Sequence, residues 1–180
     1  MIPWSYQVML IIMVAIAAGF DVRYRRIPNG LVVTGLVWGI AMNMFLFGWS
    51  GLKTSLIGIG IAFVIYFPLF MLRGMGAGDV KLMMAIGALV GPANWFLIFM
   101  ITGILGGVIA LLLLVWRKRL RHTLSNVFLI VGELLSFRAP YMADKDLDVQ
   151  SPKAITMPHG ATIAAGSILF LIGITFMGGR

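Results

Sequence analysis

Five long stretches without a charged side chain constrain this chain more than any other feature of its sequence. These stretches are 2–20, 27–52, 54–72, 82–116 and 154–179. A helix of about 20 apolar residues crosses the hydrocarbon core of a bilayer, so each stretch is long enough to span a membrane. Charged residues make up only 11% of the chain and hydrophobic residues 61%. Soluble domains carry about 25% charged residues, so a soluble globular protein is excluded.

The stretch 82–116 is longer than one crossing requires. It contains Gly91-Pro92-Ala93-Asn94, which has the composition of a turn. We therefore predict an all-α polytopic membrane protein with six transmembrane helices in a single domain over residues 1–180. The apolar stripe within 123–137 predicts a further, interfacial helix. The predicted spans are 2–20, 29–47, 54–72, 78–90, 95–116 and 159–177.

The basic residues indicate how these spans are oriented. Of the 14 Lys and Arg residues, 12 fall on one side of the predicted bundle, and only Lys53 and Arg180 fall on the other. Basic residues concentrate on the cytoplasmic side of membrane proteins, so the loop 117–153 is predicted to be cytoplasmic and both termini to lie outside. The net charge of +8 is the excess of 14 basic over 6 acidic residues, and in a membrane protein basic residues first indicate orientation. We therefore expect the lipid bilayer, and not a nucleic acid, to be the partner of the basic residues.

Two acidic residues border the predicted spans on the cytoplasmic side. Asp21 ends the first span and Asp79 begins the fourth, so the topology brings both to the same membrane depth. Two neighbouring carboxyls can share a proton, so that one activates a water molecule while the other protonates a carbonyl oxygen. This is the chemistry of aspartic peptide hydrolysis. The alternatives are that each Asp is a boundary residue or helix N-cap, or that the pair forms an ion or proton site in a small transporter component.

The segment before Asp79 carries glycine at every second position, Gly74, Gly76 and Gly78. Glycine lets another backbone approach closely, so an extended peptide could lie along this segment through main-chain hydrogen bonds. A flexible loop or helix-packing glycines are the alternative interpretation. The chain has no cysteine and only two histidines, so we expect a reaction that uses no metal and no other cofactor.

Two motifs together resemble those of a known family. Asp21-Val22-Arg23-Tyr24-Arg25-Arg26-Ile27-Pro28-Asn29 resembles the first catalytic motif of the type IV prepilin peptidases. Gly76-Ala77-Gly78-Asp79-Val80-Lys81 resembles their second motif, Gly-x-Gly-Asp-x-Lys. Pro158-His159-Gly160-Ala161 looks like the beginning of the family's C-terminal span.

This resemblance implies a membrane aspartic endopeptidase with Asp21 and Asp79 as the catalytic pair. Its partner would be a membrane-inserted pilin or pseudopilin precursor, whose leader is cut at the cytoplasmic face of the inner membrane, usually after a Gly. His159 is expected to be structural. Supporting or substrate-binding roles fall on Pro28, Asn29, Gly76, Gly78 and Lys81.

Long members of this family carry an N-terminal segment with paired zinc-binding cysteines, and they also methylate the new pilin terminus. Here Asp21 lies close to the first residue and cysteine is absent. We therefore expect the short form without methyl transfer, which is similar to the peptidases of tight-adherence (Flp) pilus systems. Archaeal preflagellin peptidases are also short and use the same two motifs, and they are the alternative.

Overall fold

A computed structural model describes residues 3–72, 75–116 and 159–178, and within these ranges the chain is helical without β-strands. The four helices are α1 (Trp4–Tyr24), α2 (Asn29–Met71), α3 (Ala77–Trp116) and α4 (His159–Gly178). Each contains a stretch that is long and apolar enough to cross a membrane. The predicted all-α membrane class is therefore confirmed for the described residues. The predicted interfacial helix 123–137 and the loop 117–153 lie outside them.

The two longest helices each reverse direction at one glycine. Gly48 in α2 has φ 58° and ψ −139°, and Gly91 in α3 has φ 74° and ψ 174°. A side chain with a Cβ rarely adopts positive φ, which explains why glycine stands at both breaks. The reversal at Gly91 brings the indole Nε1 of Trp95 within 3.0 Å of the carbonyl oxygen of Met83, to which it donates a hydrogen bond. We call the parts before and after each break the first and second arms.

These single-residue reversals differ from the predicted turns. The sequence suggested a connection over 48–53, but the helix resumes directly after Gly48 and Lys53 lies within its second arm. The predicted four-residue turn at 91–94 is likewise shorter in the structure, because helix geometry resumes at Pro92. Proline suits the first position of a helix, where its missing N–H is not needed.

Glycines allow α2 and α3 to pack with their backbones in contact. A Cβ on Gly58 would collide with the backbone of Gly87, whose carbonyl carbon would lie 2.7 Å away. A Cβ on Gly39 would lie 2.9 Å from backbone atoms of Ala88 and Leu89. Within lipid, no hydrophobic driving force brings helices together. Small residues stabilise such crossings because they allow close van der Waals packing of the two backbones. The two arms of α2 form one helical hairpin and the two arms of α3 form another. These two hairpins form the centre of the fold, while α1 packs on α4 and α4 packs on α3.

A buried polar cluster joins three helices near the two reversals. The Asn43 side-chain amide donates hydrogen bonds to the carbonyl oxygens of Ala88 at 2.9 Å and Leu89 at 3.1 Å. Its Oδ1 accepts a hydrogen bond from the Tyr6 hydroxyl at 3.2 Å, and Ser55 donates to Ala88 at 2.8 Å. Unpaired polar groups are costly in a bilayer, so this cluster holds α1 and the hairpins in one register.

Candidate active site

Asp21 and Asp79 lie together at one end of the bundle, although they come from different helices. Asp21 is in the last turn of α1 and Asp79 in the first turn of α3. Both side chains are buried, with exposed fractions of 8% and 7%. The two carboxyl groups are close enough to interact electrostatically. The structure therefore brings together the two aspartates that the sequence placed on one side of the bundle.

Asp21 is held by the beginning of α4. The backbone N–H of Gly160 donates a hydrogen bond of 2.8 Å to Asp21 Oδ2. A Cβ on Gly160 would lie 3.0 Å from both Cβ and Oδ2 of Asp21, so glycine is what permits this close approach. The free N–H groups at a helix N-terminus favour a neighbouring carboxylate, and Gly160 is the second residue of α4.

Asp79 is held by its own helix start. Its Oδ2 accepts a hydrogen bond of 3.3 Å from the N–H of Gly76, and its N–H donates to the Gly76 carbonyl oxygen at 3.1 Å. The position of Asp79 after Gly78 suggested that it could be the N-cap of the helix. It is not, because α3 begins at Ala77. It is the third helical residue and reaches back to the residue before the helix, as in one half of a capping box. This contact fixes the direction of the carboxyl group.

The supporting residues of the two motifs contact one another. Lys81 Nζ donates a hydrogen bond of 3.0 Å to Asn29 Oδ1, which joins α3 to the first residue of α2. A Cβ on Gly78 would lie 3.2 Å from Cβ of Ile27, so the two motif segments are in direct contact there. Pro28 precedes α2, and its carbonyl oxygen accepts the N–H of Val32 at 3.4 Å. These contacts set the relative position of the segments that carry the two aspartates.

Two further residues border the pair, and sequence reasoning gave neither a role in the chemistry. His159 and Tyr66 both interact electrostatically with Asp79. The Tyr66 ring is 4% exposed and lies edge-on to Trp95 and Phe99, with centroids 6.1 and 5.7 Å away. The Pro-His-Gly-Ala segment contained a signal for His159, because a histidine among small residues at a span entrance is unusual. Nothing in the local sequence distinguishes Tyr66 from other aromatic residues of the spans.

The arrangement can activate a water molecule between two acids. A buried pair of carboxyls favours a state with one shared proton, in which one group is a base and the other an acid. Within the described residues, no group of three or more His, Cys, Asp or Glu side chains is placed to hold a metal ion. The two carboxyls by themselves can support acid–base catalysis of hydrolysis.

Comparison with known proteins agrees with this geometry. The model of the type IV leader peptidase family matches residues 8–111 of the chain, which is more than half of it and includes both aspartates. Neither the curated proteins nor the solved structures contain a significant match.

Proposed function

Since the chain belongs to the type IV leader peptidase family, which implies a membrane protease, we propose that it is a prepilin peptidase with Asp21 and Asp79 as its catalytic pair. The observation that carries the proposal is the burial of two interacting carboxyls, each fixed by a backbone N–H, at one end of a membrane bundle. An aspartic peptidase needs this combination because the two groups must share one proton and keep a constant orientation.

In the proposed reaction, the ionised aspartate takes a proton from a water molecule as the oxygen attacks the scissile carbonyl carbon. The protonated aspartate donates its proton to the carbonyl oxygen, so that a neutral tetrahedral intermediate forms. The intermediate then collapses: one of its hydroxyls gives its proton to the aspartate that is now ionised, the C–N bond breaks, and the amine leaves with the proton of the other aspartate. Two protons move in each step, so the pair ends with the single proton with which it began.

The substrate in this proposal is the precursor of a pilin or pseudopilin, inserted in the cytoplasmic membrane with its leader in the cytoplasm. A helical peptide bond is shielded by its own turn, so the scissile stretch must be extended when it reaches the pair. The Gly76 and Gly78 backbone lies beside Asp79 and could support such a stretch. A peptidase of the Flp type is the first candidate in this proposal. An archaeal preflagellin-type peptidase is the second candidate within the same chemistry.

The test of this function is processing of pilin-like precursors co-expressed with the protein, followed by their electrophoretic mobility. We expect wild-type protein to shorten such a precursor, and purified protein to do so in detergent. A transporter component would leave every precursor at full length in both settings. That result would favour the alternative interpretation, in which the two aspartates form an ion or proton site.

We further propose that the arms of α2 and α3 cross the membrane separately, giving six crossings with the aspartates at the cytoplasmic face. The reversals at Gly48 and Gly91 support this, because both lie at the end of the bundle opposite the pair. Reporter fusions at Ser50 and Gly91 should give an outside signal, and a fusion at Asp146 should give a cytoplasmic signal. An outside signal at Asp146 would separate the leader from the aspartates and refute the orientation.

The close contact between Gly160 and Asp21 gives a prediction for the site. In Gly160→Ala, the added Cβ would lie 3.0 Å from Asp21 Cβ and Oδ2, so the carboxyl must move. A contact of this length requires the neighbour to shift by a few tenths of an ångström. Since displacement of a reacting group by about 1 Å can cost roughly a hundredfold in rate, we expect this smaller shift to slow cleavage by a few-fold to about tenfold. Initial rates of precursor processing would measure it.

Gly19→Ala is the matched control for that substitution. It lies on α1 two residues before Asp21, and a Cβ there meets nothing within 4 Å. We expect this variant to cleave at the wild-type rate. If Gly160→Ala did so as well, the Gly160 contact would have no part in positioning Asp21.

A further inference from the structure

A cavity of about 240 Å³ lies beside the two aspartates, between the end of α2, the second arm of α3 and the beginning of α4. Its walls include the immediate neighbours of the pair. Tyr66 and His159 line it, and both interact electrostatically with Asp79. His159 is followed by Gly160, which binds Asp21. A molecule in this cavity would therefore contact two residues that interact electrostatically with Asp79, one of which adjoins the residue that binds Asp21.

The cavity opens sideways. Gly103 and Gly107, one helical turn apart on α3, line it and are exposed on the outer face of an apolar helix. A Cβ at either position would meet nothing within 4 Å. Since α3 is apolar enough to span a membrane, this opening faces the bilayer. The paired glycines also present bare backbone, which allows another chain to approach closely.

The lining is mostly apolar and aromatic, and its polar side chains are Tyr66, Thr102, His159 and Thr162. Thr102 lines the cavity and is 8% exposed, and its hydroxyl has no hydrogen-bond partner. Among the described residues it is the one buried side-chain oxygen or nitrogen atom in this condition. The Thr102 hydroxyl lies against Gly166 of α4, where a Cβ would collide with it, so it belongs to the contact between α3 and α4 and does not select an occupant for the cavity.

We propose that this cavity receives the apolar segment of the substrate that adjoins the scissile bond, entering from the bilayer between α2 and α3. This rests on the function proposed above and specifies where that substrate binds. An apolar lining excludes the basic leader, and an opening to lipid suits a segment that is already in the membrane. A larger cavity of about 470 Å³ between α1 and α2 is lined by none of the residues that border the pair, so it does not place an occupant against them.

Filling the cavity tests the proposal by kinetics. Gly103→Leu and Gly107→Leu add a side chain where the protein leaves open space, so the fold should tolerate them. We expect kcat/KM for a processed precursor to fall roughly tenfold or more, mainly through a higher KM, because the apolar contact is lost in binding. Gly60→Leu is the matched control: it is exposed on α2, has no neighbour within 4 Å and does not line the cavity.

The kinetic outcomes separate this inference from the proposed function. Unchanged kinetics in both Leu variants, with an active wild type, would overturn the binding site and leave the peptidase intact. An inactive wild type, with every precursor tried, would overturn the peptidase itself. A wild-type enzyme with raised KM in the two cavity variants and normal KM in Gly60→Leu would support both.

Cross-linking tests the same site without relying on turnover. The chain has no cysteine, so a single introduced thiol reports one position. In an Asp79→Asn background, Gly107→Cys should form a disulfide with a precursor that carries one cysteine just after its cleavage site, and Gly60→Cys should not. Preferential bonding to Trp38→Cys, in the larger cavity, would overturn the proposal. Absence of any adduct at Gly107→Cys would also count against it, since a lipid chain in the cavity would give this result.

Discussion

Asp21→Asn and Asp79→Asn should each abolish precursor cleavage while leaving the protein inserted and folded. Asn is nearly isosteric with Asp, and its carbonyl oxygen can still accept the N–H of Gly160 at position 21 or of Gly76 at position 79. It can neither take a proton from water nor hold the proton that the pair shares. Positioned acid–base groups contribute roughly 10²–10⁴-fold to rate, so we expect a loss of at least that size.

The two roles depend on one shared proton, so the effects should not add. The double variant should be no slower than either single variant, because removing one member already disables the other. Processing in membranes at matched protein abundance is the measurement. Substantial cleavage by Asp79→Asn would refute the paired mechanism and favour a purely structural role for that carboxyl in the start of α3.

The chain offers a chemically matched control for these substitutions. Asp144, Asp146 and Asp148 lie in the segment predicted to be a cytoplasmic loop, outside both motifs. Asp→Asn at each should leave processing at the wild-type rate, and so should Glu133→Gln. A large loss in one of these variants would show that the effect of removing a carboxyl is not specific to the two motifs. The losses at Asp21 and Asp79 would then no longer support a catalytic role.

Gly58→Leu and Gly87→Leu should destabilise the fold more than substitution of a glycine in the spans that faces open space. Each glycine faces the backbone of the other, and a Cβ at Gly87 would lie 2.7 Å from the carbonyl carbon of Gly58. Backbone cannot rotate aside as a side chain can, so α2 and α3 must separate along their contact. Overpacking of a core typically costs about 1–3 kcal/mol, and we expect these variants to reach or exceed the upper end.

Thermal unfolding of the purified protein in detergent would measure this loss. Gly60→Leu is again the control, because it lies two residues from Gly58 on the same helix and meets open space. Leucine has a higher helix propensity than glycine, so this variant should be as stable as wild type or slightly more so. Equal stability of Gly58→Leu and Gly60→Leu would contradict the close contact between the hairpins.

The sequence by itself determined the class of the protein and its candidate catalytic residues. Uncharged apolar runs predicted membrane helices, because the bilayer requires every residue of a span to be compatible with lipid. The two motifs identified Asp21 and Asp79, and the family match includes both. The Gly-Pro pair at 91–92 also predicted a reversal near its true position. These signals are local, so they can be interpreted without knowledge of distant contacts.

Other features depended on which distant segments pack together, and only the tertiary structure decided them. The sequence placed a six-residue connection after residue 47, whereas one glycine with positive φ turns the chain. Nothing near Tyr66 marked it as a neighbour of Asp79, and nothing near Gly160 marked its N–H as the partner of Asp21. Glycine in a span is compatible with lipid exposure, as at Gly60, and with backbone contact, as at Gly58. The physical difference between them is the helix that lies opposite, which no local pattern specifies.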